Sequence, residues 1–186
     1  MRLSVIWHNI FRGRKKGEDR IIDFLRAVPI FAELTESELR ILEQNVYLRR
    51  YTDGEPVFKE GDPSLGMYVV KGGAVDIVRQ VRADQPMCLA TLTPGDFFGE
   101  LGLIDDAPRS ASAVARGATE AIGFFKPDLM RLVHQKPDFG LKIFLSVAKT
   151  VSARLRRADA ELDPLLVKHR GESRAPATGE GERRAP

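Results

Sequence analysis

Between residues 46 and 126 the chain is divided into short segments in which apolar and polar residues alternate, and this pattern limits its fold more than any other feature. Alternation with a period of two is typical of strands that bury one face. Seven such segments are separated by Gly, Pro or Asp: Val46–Tyr51, Pro56–Phe58, Gly66–Val70, Ala74–Arg82, Met87–Leu92, Ser110–Ala115 and Ala121–Phe125. Their number and spacing predict an antiparallel β jelly-roll barrel. Gly72-Gly73, between two of the segments, predicts a tight hairpin turn.

Helical patterns flank the predicted barrel on both sides. On the N-terminal side, residues 18–45 have helical spacing that is interrupted at Pro29, and the sequence TESE from Thr35 has the features of a helix capping box. On the C-terminal side, Pro127 is expected to open a short helix that ends at Pro137. The predicted fold class is therefore mainly β with flanking helices.

A longer helix is predicted over residues 138–162, where apolar residues recur every three or four positions. The stripe consists of Phe144, Val147, Val151, Leu155, Ala158 and Leu162. Such a stripe suits either packing onto the protein's own barrel or pairing with a second copy, and spacing alone leaves both open.

The two ends of the chain differ in composition from the part between them. Residues 1–17 form an amphipathic and basic extension whose first 16 residues could contact an anionic membrane surface, the barrel or a partner. Residues 163–186 are predicted to be a disordered tail, since they have no large apolar residue from Gly171 onward. The domain proper is expected to span residues 18–162, with the barrel at about 46–126 and helices over 127–162.

Bulk composition and the reactive residues argue against several classes of protein. A net charge of +3 with basic ends is not the clustered basic face of a duplex-DNA reader. Cys88, the single cysteine, excludes an internal disulfide and is predicted to be a small buried hydrophobe. The three histidines are scattered without metal-ligand spacing, and no nucleophile has a paired base, so neither a metal site nor catalysis is expected.

One segment, PGDFFGELGLIDDAPRSASAV from Pro94, combines residues suited to binding a phosphate. Gly99 and Gly102 can open the backbone so that N–H groups point at an anion, and a helical turn over Leu101–Ile104 would direct its positive end there. Arg109 offers a planar fork of donors to phosphate oxygens. Glu100 is an acceptor in this otherwise anion-seeking region, which suits a ligand that also carries a hydroxyl group.

The part FGELGLIDDAPRSASAV closely resembles the phosphate-binding cassette of the cyclic-nucleotide-binding domain family, and Glu60–Val78 resembles the family's glycine-punctuated strand pair. The resemblance covers residues 28–160. It implies that Glu100 binds the ribose 2′-hydroxyl, and that Arg109 binds the cyclic phosphate with help from Ser110. It also places Gly99, Leu101 and Ala111 in the ligand-facing backbone.

The function expected from this resemblance is that of a stand-alone cAMP or cGMP sensor, with cAMP slightly favoured. The cassette contacts of Leu101, Leu103 and Ile104 with residues 125–132 would change helix packing, and the module would act on an unknown protein partner in the cytoplasm or at a membrane surface. The helix 138–162 is a possible homodimer seam. About 24 residues follow Leu162, and they are polar and rich in Pro and Gly. This segment is too short for the helix-turn-helix domain that some members of the family carry there, so no DNA-binding domain is expected. The alternatives are a ligand-free dimerisation scaffold and a transcription regulator that lacks its own DNA-binding domain.

Overall fold

The computed structural model describes residues 21–82 and 85–172. Its helices are α1 (Ile21–Ala27), a 3-10 turn (Pro29–Phe31), α2 (Glu36–Glu43), a second 3-10 turn (Glu100–Leu103), α3 (Lys126–Gln135) and α4 (Pro137–Glu172). Its strands are β1 (Tyr47–Tyr51), β2 (Pro56–Phe58), β3 (Gly66–Arg82), β4 (Gln85–Leu92), β5 (Phe97–Phe98) and β6 (Ser112–Phe125). This arrangement confirms the predicted fold class.

The six strands form one antiparallel sheet in the order β1-β6-β3-β4, with β2 paired to β6 and β5 paired to β3. In the described part of the chain this pairing does not return from β4 to β1, so hydrogen bonds do not close the sheet into the predicted barrel. The long strands β3 and β6 pair with each other along most of their length and hold the sheet together.

The predicted hairpin at Gly72-Gly73 is wrong, because both glycines lie inside β3. The pairing with β6 is irregular on both sides of Gly72, and Gly73 has a positive φ of 75°. A Cβ on Gly73 would lie 2.4 Å from the carbonyl oxygen of Ala118 on the facing strand. These glycines therefore bend two continuous strands that approach closely, and they mark an irregularity rather than a turn.

The two faces of the sheet bury different sets of side chains. On one face Tyr51, Tyr68 and Phe98 pack with small residues of β6, of which Ala113 and Ala115 are examples. The other face is formed by residues that alternate with these in β3 and β6, namely Met67, Val69, Ile122 and Phe124, all buried. Phe31 of the N-terminal 3-10 turn contacts Phe124 edge to face, with ring centroids 6.5 Å apart, so the N-terminal helices cover this second face.

The predicted capping box at the start of α2 is confirmed. The Thr35 hydroxyl accepts from the N–H of Glu38, and the Glu38 carboxylate accepts from the N–H of Thr35 at 2.7 Å. The same carboxylate is contacted by Lys142 Nζ of α4, 2.8 Å from each oxygen. Burial alone would raise the pKa of Glu38, but these hydrogen bonds outweigh it and hold the pKa below its ordinary value.

At the C-terminal end, α4 continues past Leu162 to Glu172, so the prediction of a disordered tail from residue 163 is wrong for residues 163–172. Residues 173–186 and the N-terminal extension 1–17 lie outside the described residues. The chain divides into two compact units, one ending at Val147 and the other beginning at Ala148.

The prediction that Cys88 is buried is also wrong, since its side chain is exposed. The reason is its position on β4, which pairs only with β3 among the described strands and is exposed from Gln85 to Thr91. Within residues 21–82 and 85–172, no helix combines the length and apolar character needed to cross a membrane. The same residues contain no cluster of three or more His, Cys, Asp or Glu that could hold a metal ion.

Candidate anion-binding site

The predicted phosphate cassette lies between β5 and β6 and is built around Gly99. This residue has a φ of 70°, in the left-handed region that favours glycine, and it turns the chain from β5 into the 3-10 turn that begins at Glu100. A Cβ at Gly99 would lie 2.5 Å from Nη1 of Arg109. The glycine therefore allows both the turn and the close approach of the guanidinium.

Gly102 has a different role from the one predicted. Gly102 is not one of the glycines with a positive φ in the described chain. Its N–H donates to the carbonyl of Gly99 at 3.1 Å, so it does not point at an anion. A Cβ at Gly102 would lie 2.3 Å from the hydroxyl oxygen of Ser64 and 3.1 Å from the backbone of Gly66. Gly102 thus allows the cassette to pack closely against the chain that leads into β3.

Arg109 is held in place by both its backbone and its side chain. Its N–H donates to the carbonyl of Asp62 and its own carbonyl accepts from the N–H of Gly61, both at 2.9 Å. Its Nη1 donates to the carbonyl of Gly99 at 3.1 Å. The residue is only 7% exposed, which is unusual for an arginine.

Among the donor atoms of the Arg109 guanidinium, the buried Nε has no acceptor. Its Nε is the one buried side-chain nitrogen or oxygen, among those the structure describes, that has no hydrogen-bond partner. Burial lowers the pKa of Arg109, while the negative charges of Asp62 and Glu100 act in the opposite direction. The group still carries its positive charge, because an arginine side chain stays protonated in proteins. A buried cation with an unsatisfied donor is the arrangement that an anionic oxygen completes.

Aromatic rings form the wall beside this guanidinium. The Cζ of Arg109 lies over the ring of Phe58, 4.0 Å from its centroid, and 6.0 Å from the ring centroid of Tyr68. Sequence reasoning missed both residues. The alternation in β2 and β3 predicts that they point inward, but it does not predict which side chain they meet.

The other predicted site residues occupy different environments. Glu100 is 4% exposed and is close enough to Arg109 to affect its pKa. Ala111 is buried, whereas Leu101 is 43% exposed. Ser110 is exposed as well, and its carbonyl accepts from Nε of Arg79 at 3.0 Å, a contact that the sequence did not predict.

The cassette is also connected to α3. Its 3-10 turn contacts that helix, and Lys126 Nζ lies 2.7 Å from the carboxylate of Asp106 and 3.3 Å from the carbonyl of Asp105. Of the three apolar residues expected to face this junction, Leu103 is buried, while Leu101 and Ile104 are 43% and 46% exposed.

Comparison with known proteins agrees with this geometry. Residues 48–136 match the family described as cyclic nucleotide-binding domain. The chain is 36% identical over 141 residues to the cyclic AMP receptor protein of Thermus thermophilus, covering 76% of this chain and 63% of that protein. It is 31% identical over 163 residues to a cAMP-dependent protein kinase regulatory subunit of Colletotrichum orbiculare, covering 88% of this chain and 38% of the relative.

A solved structure, the catabolite activator protein of Thermus thermophilus, superposes with a TM-score of 0.66 at 36% identity, covering 74% of this chain and 62% of that one. The part of the chain from residue 48 to residue 136 is therefore a domain of the cyclic nucleotide-binding domain family. The chain spans less than two thirds of the length of each of these curated relatives.

Proposed function

We propose that this protein is a sensor of cAMP or cGMP, with cAMP slightly favoured, that acts through a partner protein and carries out no catalysis. The observation that carries the proposal is the buried Arg109, whose Nε has no acceptor while buried Glu100 lies close by. The names of the two relatives reported above refer to cAMP, which supports the preference for that nucleotide.

In this proposal each cassette residue has a distinct role. Arg109 binds the cyclic phosphate through Nε, and Ser110, which is exposed beside it, adds its hydroxyl or N–H. Glu100 accepts a hydrogen bond from the ribose 2′-hydroxyl. Gly99, Leu101 and Ala111 supply the backbone that faces the ligand. A ligand held between a cation and a carboxylate must carry both an anionic group and a hydrogen-bond donor, and a cyclic nucleotide has these in its phosphate and its ribose hydroxyl.

The binding signal would leave the cassette through α3. The contacts of Lys126 with Asp105 and Asp106 join the cassette to the first residue of that helix. A ligand changes helix packing only if its contacts differ between the two packings. We propose that the cassette shifts when it closes on the phosphate, and that α3 and α4 repack in response.

The decisive experiment is calorimetric titration of the wild type and of Arg109→Ala with cAMP and with cGMP. Loss of a charge-assisted contact in a largely buried site is expected to weaken binding by about 30-fold or more. Arg116→Ala removes the same charge from an exposed ion pair with Asp76 and serves as the control, with unchanged affinity. Equal affinities of Arg109→Ala and wild type would refute the site, and absence of binding by the wild type would refute the sensor.

We further propose that the protein forms a homodimer through α4. Along this helix Val151, Leu155, Ala158 and Leu162 are spaced by four, three and four residues, which suits a coiled-coil seam. Leu155 and Leu162 are 61% and 52% exposed. Light scattering should find a dimer that Leu155→Glu with Leu162→Glu converts to a monomer, while Arg156→Glu on the same helix does not. A monomeric wild type would contradict this.

The alternative to the sensor is a dimeric scaffold that binds no ligand. A dimer that gives no heat on titration with either nucleotide would support this alternative.

We also propose that the protein works in the cytoplasm and that residues 1–16 can touch a membrane surface. Deletion of residues 1–17 should reduce binding to anionic liposomes, and unchanged binding would remove the membrane contact from the proposal.

A further inference from the structure

The ring of Phe58 is the closest aromatic neighbour of the Arg109 guanidinium in the described chain, with 4.0 Å between its centroid and Cζ. A ring face attracts a cation but provides no oxygen or nitrogen acceptor. The contact therefore stabilises the buried charge and leaves the N–H donors of the guanidinium for oxygen atoms. This is consistent with the two donors described above, since Nη1 bonds to Gly99 and Nε has no partner.

The position of Phe58 is itself fixed by the sheet and by other rings. Phe58 belongs to β2 and pairs with Ala113 of β6, so its backbone is tied to the strand that follows the cassette. Its ring centroid lies 5.9 Å from that of Tyr68 and 5.8 Å from that of Phe98. Phe98 directly precedes Gly99, whose carbonyl accepts from Arg109. The ring and the carbonyl thus hold the guanidinium from two sides within one packed unit.

An arginine that is this deeply buried with an unsatisfied donor has an alternative, which is to extend into water. Any fraction of molecules in which it does so is unable to bind, and the apparent affinity falls by that fraction. We infer that Phe58 is a positioning residue that keeps the Arg109 guanidinium in its binding position by contact with the ring face. The inference rests on the proposed function and extends the site beyond the cassette to β2.

The first test compares leucine substitutions at two rings of the same cluster. Phe58→Leu is expected to weaken cAMP binding by about ten-fold. Tyr51→Leu is the matched control, because Tyr51 is a ring of the same cluster and lies on β1, away from the cassette and α3. Both variants should lose thermal stability, but Tyr51→Leu should bind cAMP like the wild type, and Phe58→Tyr, which keeps the ring, should also bind normally.

The second test changes the ring electronics without changing its packing. Phenylalanines carrying one, two and three fluorines at position 58 keep the shape of the side chain and progressively weaken its attraction for a cation. Affinity for cAMP should fall stepwise with fluorine number. This test stays decisive if Phe58→Leu fails to fold.

Affinity that is flat across the fluorinated series, or equal in Phe58→Leu and wild type, would overturn the positioning role while leaving the sensor intact. A wild type that binds no cyclic nucleotide would overturn both.

Discussion

The cassette and the second half of α4 differ in how their most unusual side chains are held. Arg109 is a charged residue that is only 7% exposed. Its backbone is hydrogen-bonded to Gly61 and Asp62. Its guanidinium contacts the carbonyl of Gly99 and the ring of Phe58. Leu155 and Leu162 are apolar residues that remain more than half exposed. The protein therefore contains a cation built into the interior and an apolar stripe left at the surface, the reverse of the usual distribution.

A ligand of the cassette and a partner of α4 are therefore indicated by different kinds of evidence. A buried cation is costly unless something compensates it, so its surroundings themselves indicate a ligand. Scattered exposed leucines are common on protein surfaces and indicate a partner only through their regular spacing. Substitutions in the cassette should therefore alter binding, and substitutions in the second half of α4 should alter association.

Among the substitutions that keep Arg109 itself, the largest effect is expected from Gly99→Ala. The new Cβ would displace Nη1 of Arg109, 2.5 Å away, so cAMP affinity should fall by about ten-fold or more. Gly117→Ala is the control, because Gly117 has the same φ of 70° but nothing within 4 Å of its Cβ position. Both substitutions introduce backbone strain, and only Gly99→Ala should impair titration with cAMP. Equal losses would mean that strain alone is responsible.

A smaller loss is expected from Glu100→Gln, which keeps the shape of the side chain and removes its charge. If the carboxylate accepts the ribose hydroxyl, binding of cAMP should weaken by about five-fold. The wild type should discriminate strongly against 2′-deoxy-cAMP, and Glu100→Ala, which removes the acceptor altogether, should discriminate only weakly, as measured by competition calorimetry. Undiminished discrimination in Glu100→Ala would assign the hydroxyl to another group.

Substitution of Glu38 in the capping box tests the stability of the helices beside the sheet and does not concern the site. Glu38→Gln should lower the free energy of unfolding by about 1 kcal/mol at pH 7, because contacts of the carboxylate with Thr35 and Lys142 are weakened. Since the folded-state pKa of Glu38 is lowered, this stabilisation is present above its ordinary value of 4.5 and is lost as the pH falls through the folded value.

Denaturant unfolding at pH 7 and at pH 3 measures both parts of this prediction. The difference between wild type and Glu38→Gln should shrink at the lower pH. Glu36→Gln, in an exposed ion pair of the same helix, is the control and should have a small effect at both values. A difference that is independent of pH would show that the charge of Glu38 is not what stabilises α2.

The smallest effect is expected from Leu155→Ser with Leu162→Ser. Both side chains are exposed, so at a concentration where the protein is monomeric the unfolding free energy of the sheet should change by less than about 0.5 kcal/mol. Denaturant unfolding followed by Tyr fluorescence measures this. A larger change would remove the contrast between the two regions.

Much of this comparison could be predicted from sequence, but not all. The glycine spacing correctly indicated a turn at Gly99, because turn-forming residues act locally, whereas the binding of a phosphate by Arg109 and of a ribose by Glu100 stays a prediction. The capping box at Thr35 was predicted for the same reason. The hairpin predicted at Gly72-Gly73 was wrong. A pair of glycines that ends a strand cannot be distinguished in the sequence from a pair that interrupts the regular pairing of two facing strands, until the partner strand β6 is known.

The residues that surround Arg109 were beyond local reasoning. Phe58 and Asp62 lie about 50 positions before it in the chain, and they meet it only because β2 pairs with β6. Cys88 was assigned to the interior from its residue type, yet an edge strand has one side without a neighbour. Long-range pairing decides such environments, and a single sequence does not encode it visibly.

From Ser112 to Glu172 the backbone is strand or helix at every residue except Lys136. Strand β6 passes into α3 without a connecting loop, and Lys126 at that junction is bound back to the cassette. Lys136 is therefore the one residue between β6 and α4 that lies outside regular secondary structure. Lys136 has a φ of −144°, and Pro137 after it restricts the φ and ψ angles that Lys136 can adopt. A change in the direction of α4 relative to α3 within residues 126–147 would therefore act mainly through the backbone dihedral angles of Lys136.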